Sequence, residues 1–243
     1  MDSDSADPTF ASVSSHHPGA SRHQTGEDTC CEVRAPLSAT RPVSIPISSI
    51  ACGGRFTEAG FEEIILPSIC EAETFLRKIG PDKEGQMWTF EDRGGRKVCL
   101  IPEVTGMIQK LWREEWAIAR GRKEPRRLFY AQRCYRYERP QRGRYREFTQ
   151  FGIEILNGDC AMDREEATGL LRACLDSFEG LEWVYSDGVK RGLSYYVEDG
   201  FEAECPALGA QKQIAGGGRY AEGIGWAIGI DRLMLGWRPE LFD

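Results

Sequence analysis

Arg136-Tyr-Glu-Arg-Pro-Gln-Arg-Gly-Arg-Tyr-Arg-Glu-Phe-Thr-Gln-Phe-Gly-Ile-Glu154 places five arginines, two strand-like runs and a Pro/Gly turn within nineteen residues. Its second half alternates. Arg144, Arg146, Phe148, Gln150, Gly152 and Glu154 share one parity, and Thr149, Phe151, Ile153 and Ile155 share the other. Successive side chains of a β-strand point to opposite faces, so one face here is apolar and suited to a core. The other sets cations, an aromatic ring, an amide and a carboxylate in a row. A solvated face has little use for Phe and Gly among its charges. A site for a phosphorylated, aromatic ligand does.

Composition narrows the chemistry available to such a site. The chain has 243 residues, 41% hydrophobic and 28% charged, which is the make-up of a soluble globular protein of one or two domains. No apolar run approaches the roughly 20 residues of a membrane span, so no membrane partner is expected. The nine cysteines include no C-x-x-C pair and sit mostly in apolar contexts, which reads as reduced, buried thiols and a cytoplasmic location. All three histidines (His16, His17, His23) lie near the N-terminus, outside any periodic segment. Ser-His-Asp catalysis, Cys-His catalysis and His-ligated zinc are thereby removed, and no residue is nominated as a metal ligand. Net charge is −7, yet residues 120–146 hold eleven Arg and Lys against Glu124 and Glu138, leaving −16 for the remainder. A basic run overlapping the alternating strand reads as a local polyanion site. The acidic remainder disfavours duplex binding over a wide surface.

Along the chain, residues 1–42 are rich in Ser, Asp, His, Thr and Pro and read as a disordered tail, with neither a secretory nor a transit signal. Order is expected from Val43 onward. A short helix over 55–60 precedes a strand from Phe61 to Leu66, and Ser68 with Glu71 reads as a capping box for a helix through Ile79. Met87–Glu91 and Lys97–Ile101 flank Gly94-Gly95 as a hairpin. A helix over 103–120 follows Pro102. The opening stretch supplies strands Leu128–Tyr137 and Arg144–Leu156. A helix then starts near Asp163 and is stopped by Gly180. Strands at 193–205, 211–215 and 224–230 lead to a helix from about Asp231. This order predicts an α+β fold around an antiparallel β-sheet flanked by helices.

Four further segments carry chemistry. Pro102-Glu-Val-Thr105 puts a carboxylate and a hydroxyl at a helix start, a pattern that also fits plain capping. Arg191-Gly-Leu-Ser-Tyr-Tyr196 brings a cation and two phenols to the start of a strand, where packing in the sheet is the competing reading. Ala215-Gly-Gly-Gly-Arg-Tyr220 breaks a strand-like context with three glycines, as a close ligand or backbone approach would require. Gly229-Ile-Asp-Arg232 ends an apolar strand and opens a helix.

Taken with the opening stretch, these residues resemble the catalytic domain of histidyl-tRNA synthetases, a class II aminoacyl-tRNA synthetase family, over roughly residues 55–237. Residues 43–243 are thus read as one class II synthetase-like catalytic domain. The resemblance implies a histidine-activating ligase that forms histidyl-adenylate from ATP and L-histidine, with magnesium bridging the phosphates. By that resemblance Arg136 holds the α-phosphate and Arg144 reaches the terminal phosphates. Adenine lies between the Phe148 ring and the Arg232 guanidinium, and Glu138 belongs to the same ATP-binding group. Glu103, Thr105 and Gln150 match the residues around the substrate α-amino group, and Glu154 and Tyr196, with Tyr195 beside it, match those that read the imidazole. Arg191 matches the family's cation beside carboxylate and α-phosphate, so Arg136, Arg191 and Arg232 are the catalytic set. The acyl acceptor is the acceptor end of tRNA or a non-tRNA acceptor, and a homodimer is expected.

The departures are specific. Ile101 and Val104 stand where the family has Arg and Gly, and Ser194 and Ala221 stand where it has Asp. Only 36 residues separate Glu154 from Arg191, too few for the family's insertion domain. The chain ends soon after Arg232, which reads as lack of the anticodon-binding domain. The helix at Ile47–Ala59, in the region of the family's dimer interface, is short and contains Gly53-Gly54. A non-catalytic histidine-binding paralogue, resembling the regulatory subunit of ATP phosphoribosyltransferase, is the alternative. A tRNA-binding module without activity is a third reading. Retention of Arg136, Arg144, Phe148 and Arg232 together favours catalysis, because a histidine sensor has no need of them.

Overall fold

The alternation at Phe148–Leu156 does form a strand, and a sheet is built around it. In the computed structural model, which describes residues 53–79, 81–116, 125–158, 160–190 and 192–242, the elements run in the following order. Helix α1 (Gly53–Glu58) and strand β1 (Glu62–Glu63) precede β2 (Ile69–Glu71) and α2 (Glu73–Ile79). Then come β3 (Thr89–Glu91), β4 (Lys97–Leu100), α3 (Thr105–Leu111), β5 (Arg126–Tyr135), β6 (Glu147–Leu156) and α4 (Cys160–Asp176). Strands β7 (Val184–Val189), β8 (Gly200–Glu204), β9 (Gln213–Tyr220) and β10 (Gly223–Gly229) lead into α5 (Ile230–Trp237). Seven strands form one sheet in the order β1-β5-β6-β10-β9-β8-β7, and β2-β4-β3 form a second, smaller one. Within the large sheet β1 runs parallel to β5, and the other pairings are antiparallel.

Parity on β6 decides which layer covers which face. Phe151, Ile153 and Ile155 join Phe56, Leu171, Leu175, Phe201, Trp226 and Leu233 in one core, which packs α1, α4 and α5 against the sheet. The opposite face carries a second core of Leu128, Tyr130 and Cys134 from β5 with Phe75 of α2 and Val104, Met107, Ile108 and Trp112 from the α3 region. Gly152 belongs to that second face, opposite Tyr130 in register. A Cβ there would meet the Tyr130 phenol at 2.5 Å, so the missing side chain makes room for a buried ring.

Several boundaries differ from the sequence reading, each for a tertiary reason. Ser68–Glu71 does not start a helix: the Ser68 carbonyl accepts from Ile101 N and Ala72 N donates to the Lys97 carbonyl, so sheet pairing claims the segment and α2 begins at Glu73. The strand expected over 61–66 shrinks to the two residues that pair with Leu128 and Phe129. β6 starts at Glu147, so Arg144 and Arg146 lie in the preceding loop, where Arg136 N still donates to the Arg146 carbonyl at 2.8 Å. Beyond Leu111 the helix widens into a π turn at Trp112–Trp116. β7 was not anticipated; its mixed sequence VYSDGV has little alternation and its register is broken between Asp187 and Val189. The hairpin around Gly94-Gly95 pairs Glu91 with Lys97 as expected. The readings for residues 1–42, for the end of the helix at 117–120 and for the basic residues at 120–123 lie outside the described residues.

Phe151 is 1% exposed and packs against both Phe56 and Trp226. Phe151→Ala is expected to cost about 3–5 kcal/mol in urea-unfolding measurements, and a loss under about 1 kcal/mol would contradict this core.

Candidate functional site

A cleft of about 920 Å³, counting its open mouth, lies where β6, β9 and β10 meet the starts of α3 and α5. Its walls bring together Glu103, Thr105, Arg136, Glu138, Arg144, Phe148, Gln150, Tyr195, Tyr196 and Arg232. Those ten are site candidates of the sequence reading, drawn from segments up to 129 residues apart. Glu154 lies behind the wall, and Arg191 is outside the described residues.

The cationic part is anchored by the protein's own groups. Arg232, in the first turn of α5, donates from Nε to the Gly143 carbonyl at 2.6 Å and from a terminal nitrogen to the Gln213 carbonyl at 3.0 Å. Asp231 beside it accepts from Thr149 N at 2.8 Å, which ties the helix start to β6. Arg136 donates to the Pro102 carbonyl at 3.0 Å and lays its guanidinium 4.9 Å from the centre of the Phe148 ring. Arg144 is ion-paired with Glu138. Burial, and then the charges of Arg136 and Arg144, hold Arg232 below the usual arginine range. The three guanidiniums repel one another, and an anion placed among them would relieve that repulsion. Phe148 has Arg136 as its cationic neighbour, while Arg232 is turned to backbone carbonyls.

The second group of contacts surrounds carboxylates. Glu103, 6% exposed, accepts from Gly106 N at 2.8 Å through one oxygen and from the Tyr195 hydroxyl at 3.3 Å through the other. Capping and cleft lining are therefore one arrangement: the α3 start fixes a carboxylate whose far oxygen meets a phenol. The Tyr195 and Tyr196 rings lie 4.6 Å apart, and Tyr196 bridges to Tyr220 on β9. Gln150 accepts from the Cys134 thiol at 3.3 Å.

Glu154 is fully buried and held on both sides. Thr105 Oγ1 donates to one oxygen and the Tyr220 hydroxyl to the other, each at 2.6 Å. Burial pushes its carboxyl up to about 8; the two hydroxyl bonds oppose that shift and nearby Glu103 adds to it. Gly225, on the neighbouring strand opposite Glu154 in register, leaves the space this carboxylate fills, and a methyl there would overlap it. The sequence reading assigned no role to Tyr220 or Gly225. Tyr220 stood inside the quoted Gly-Gly-Gly-Arg-Tyr segment. Gly225 had only its place in an otherwise apolar strand as a signal.

Seven strands with helices on the first face, and a cleft that gathers arginines, a ring and buried carboxylates, are the architecture of the class II aminoacyl-tRNA synthetases. The solved histidyl-tRNA synthetase of S. aureus, in its apo form, superposes with a TM-score of 0.62 at 24% identity, covering 81% of this chain and 67% of that one. A Bacillus halodurans protein described as an ATP phosphoribosyltransferase regulatory subunit/histidyl-tRNA synthetase gives 0.63 at 17% identity, covering 79% and 78%. In sequence, the histidine–tRNA ligase of Methanosphaerula palustris is 27% identical over 288 aligned positions, covering 75% of this chain and 69% of its own length. The family model for histidyl-tRNA synthetase matches residues 52–187, and the chain belongs to that family.

Glu154 also predicts a pH signature. Its folded value, near 8, lies above the ordinary 4.5, so its contribution is fully present below about 4.5 and is lost as pH rises through about 8. Thermal midpoints between pH 5 and 9 are expected to fall more steeply for the wild type than for Glu154→Gln. Parallel curves would show that Glu154 does not titrate in that window.

Proposed function

We propose that this cleft binds ATP and L-histidine and joins them as histidyl-adenylate, releasing pyrophosphate. The observation that carries the reading is the convergence of Arg136, Arg144, Arg232 and Phe148 in one cleft with Glu103, Thr105, Gln150, Tyr195 and Tyr196. A histidine carboxylate oxygen attacks the α-phosphorus and the bond to the pyrophosphate oxygen breaks. No protein nucleophile is needed. The chain's task is to align two anions and to neutralise the charge that develops. Arg136 takes the α-phosphate with Arg191, Arg144 takes the terminal phosphates, and Phe148 and Arg232 take the purine, a use of planar guanidinium that lysine cannot match.

Magnesium enters as part of the nucleotide substrate. Among the described residues no group of three or more His, Cys, Asp or Glu could hold a metal ion. In this reading the phosphates would supply its ligands, with Glu138, the ion-pair partner of Arg144, beside them.

Histidine is read at the carboxylate end. Glu103 and Gln150 take the α-amino group, and Tyr196 takes one ring nitrogen. Glu154 already has a hydroxyl on each oxygen, so imidazole engages it by replacing Thr105, whose hydroxyl turns to the amino group. A ligand lacking that ring N–H leaves the exchange incomplete, which is a basis for selectivity. The acyl acceptor is the acceptor end of tRNA or another acceptor, and the reading extends to a cytoplasmic homodimer. Among the described residues no helix is long and apolar enough to cross a membrane. The Bacillus halodurans likeness supports a second reading, a regulator that binds histidine without activating it.

Purified protein is expected to exchange labelled pyrophosphate into ATP only when histidine is present, and Arg136→Ala is expected to lower that rate about a hundredfold or more. Histidine binding by calorimetry without any exchange would replace the enzyme with the regulator. Phe148→Ala is expected to raise the KM for ATP about tenfold while leaving the KM for histidine unchanged. Equal rises in both constants would remove Phe148 from the nucleotide side.

A further inference from the structure

Away from the cleft walls, two thiols face each other. Cys70 on β2 and Cys99 on β4 are direct partners across antiparallel strands, with sulfur atoms 3.7 Å apart. The bonds Ile101 N to Ser68 O and Ala72 N to Lys97 O lie two pairs to either side. They put this pair in the hydrogen-bonded phase of the ladder, where Cα atoms stand about 5.5 Å apart. That lies within the Cα range of disulfides, and a small inward shift of the two strands brings the Cβ atoms to bonding separation. Access is graded. Cys99 is buried, whereas Cys70 is half-buried.

The surroundings differentiate the two sulfurs. The Cys99 hydrogen bond, and more weakly the Lys110 ammonium, lower the Cys70 thiol against the opposing effect of burial; the same pairing and burial push Cys99 up. Lys110 is held beside the pair by its 2.7 Å ion pair with Glu71, the residue after Cys70. The half-buried sulfur is the one a dissolved oxidant reaches first, and the buried one is placed to resolve it.

We propose that Cys70 and Cys99 form a redox modification site that closes to a reversible disulfide when it meets a low-molecular-weight disulfide such as oxidised glutathione. The Cys70 thiolate attacks one sulfur of the oxidant, forming a mixed disulfide and releasing one glutathione thiolate. That thiolate takes up the Cys99 proton. Cys99 then attacks the Cys70 sulfur and expels the second glutathione. Two protein thiols are oxidised and one oxidant disulfide is reduced to two thiols. The bridge joins β2 to β4 just before Ile101 and Pro102, whose carbonyls accept from Tyr135 N and Arg136 Nε. It therefore lies under the corner that orients Arg136 and Glu103.

The test uses the full chain in its native state, incubated with oxidised glutathione at neutral pH, blocked with N-ethylmaleimide and digested with trypsin without reduction. The expected product is Phe56–Arg77 joined to Val98–Lys110, each peptide holding one cysteine. Its mass should be two hydrogens below the sum of the peptides. Dithiothreitol should abolish it, and neither Cys70→Ser nor Cys99→Ala should form it. Should Cys99→Ala fail to fold, as judged by circular dichroism, Cys70→Ser at the half-buried position carries the control. Recovery of both peptides as maleimide adducts, accumulation of glutathione on Cys70 alone, or a link from Cys70 to any other cysteine would overturn the proposal.

Discussion

A carboxylate with no access to water needs donors, and the Glu154 side chain imposes that need at the middle of the sheet. Its donors come from different elements: Thr105 from the first turn of α3 and Tyr220 from the end of β9. The space it fills is left by Gly225 on β10. Satisfying one buried group therefore fixes the position of a helix start relative to two strands. Glu103 follows, because it caps the same helix, and Tyr195 follows through its bond to Glu103. The carboxylate side of the cleft is a set of consequences of where that one carboxyl group is buried.

The cationic side is organised on the opposite principle. Its charges remain at the cleft, and what is fixed is their direction. Backbone carbonyls hold Arg136 and Arg232, and Glu138 holds Arg144. A guanidinium tied through one or two of its nitrogens keeps other donors for a phosphate, so ordering cost is met during folding instead of during binding. Arg232 lies in the repulsive field of the other two. That leaves the site tuned to a polyanion, and a neutral ligand would gain nothing from it.

How much of this could be read from the chain depends on the range of the interaction. The parity of Phe148–Leu156, the Gly94-Gly95 hairpin and the α4 and α5 helices were legible, because each rests on spacing within a few residues. Ser68–Glu71 misled for the same reason. Its capping pattern is local, and the ladder to β4 that overrides it closes across about thirty residues. Ten of the site candidates share the cleft because their segments could be recognised together. The supporting residues could not be recognised that way. Tyr220 acts across 66 residues of sequence through a single hydroxyl, and Gly225 acts through an absent side chain. Neither leaves a period or a spacing to detect.

The departures from the family pattern acquire a location once the fold is in view. Ile101 and Val104, where Arg and Gly were expected, are 0% and 1% exposed and belong to the core under α3. Ser194 and Ala221, where Asp was expected, are exposed. None of the four is part of the cleft wall. Between Ile101 and Val104 the wall residue Glu103 is kept, and Thr105 follows directly. The four departures thus lie in the packing behind the corner and on the outer surface, while the arginines and the ring proposed to meet ATP line the cleft. A protein that only sensed histidine would be under no constraint to keep the arginines and the Phe148 ring in the same cleft. The placement of the departures away from the cleft wall is what supports the proposed chemistry over sensing.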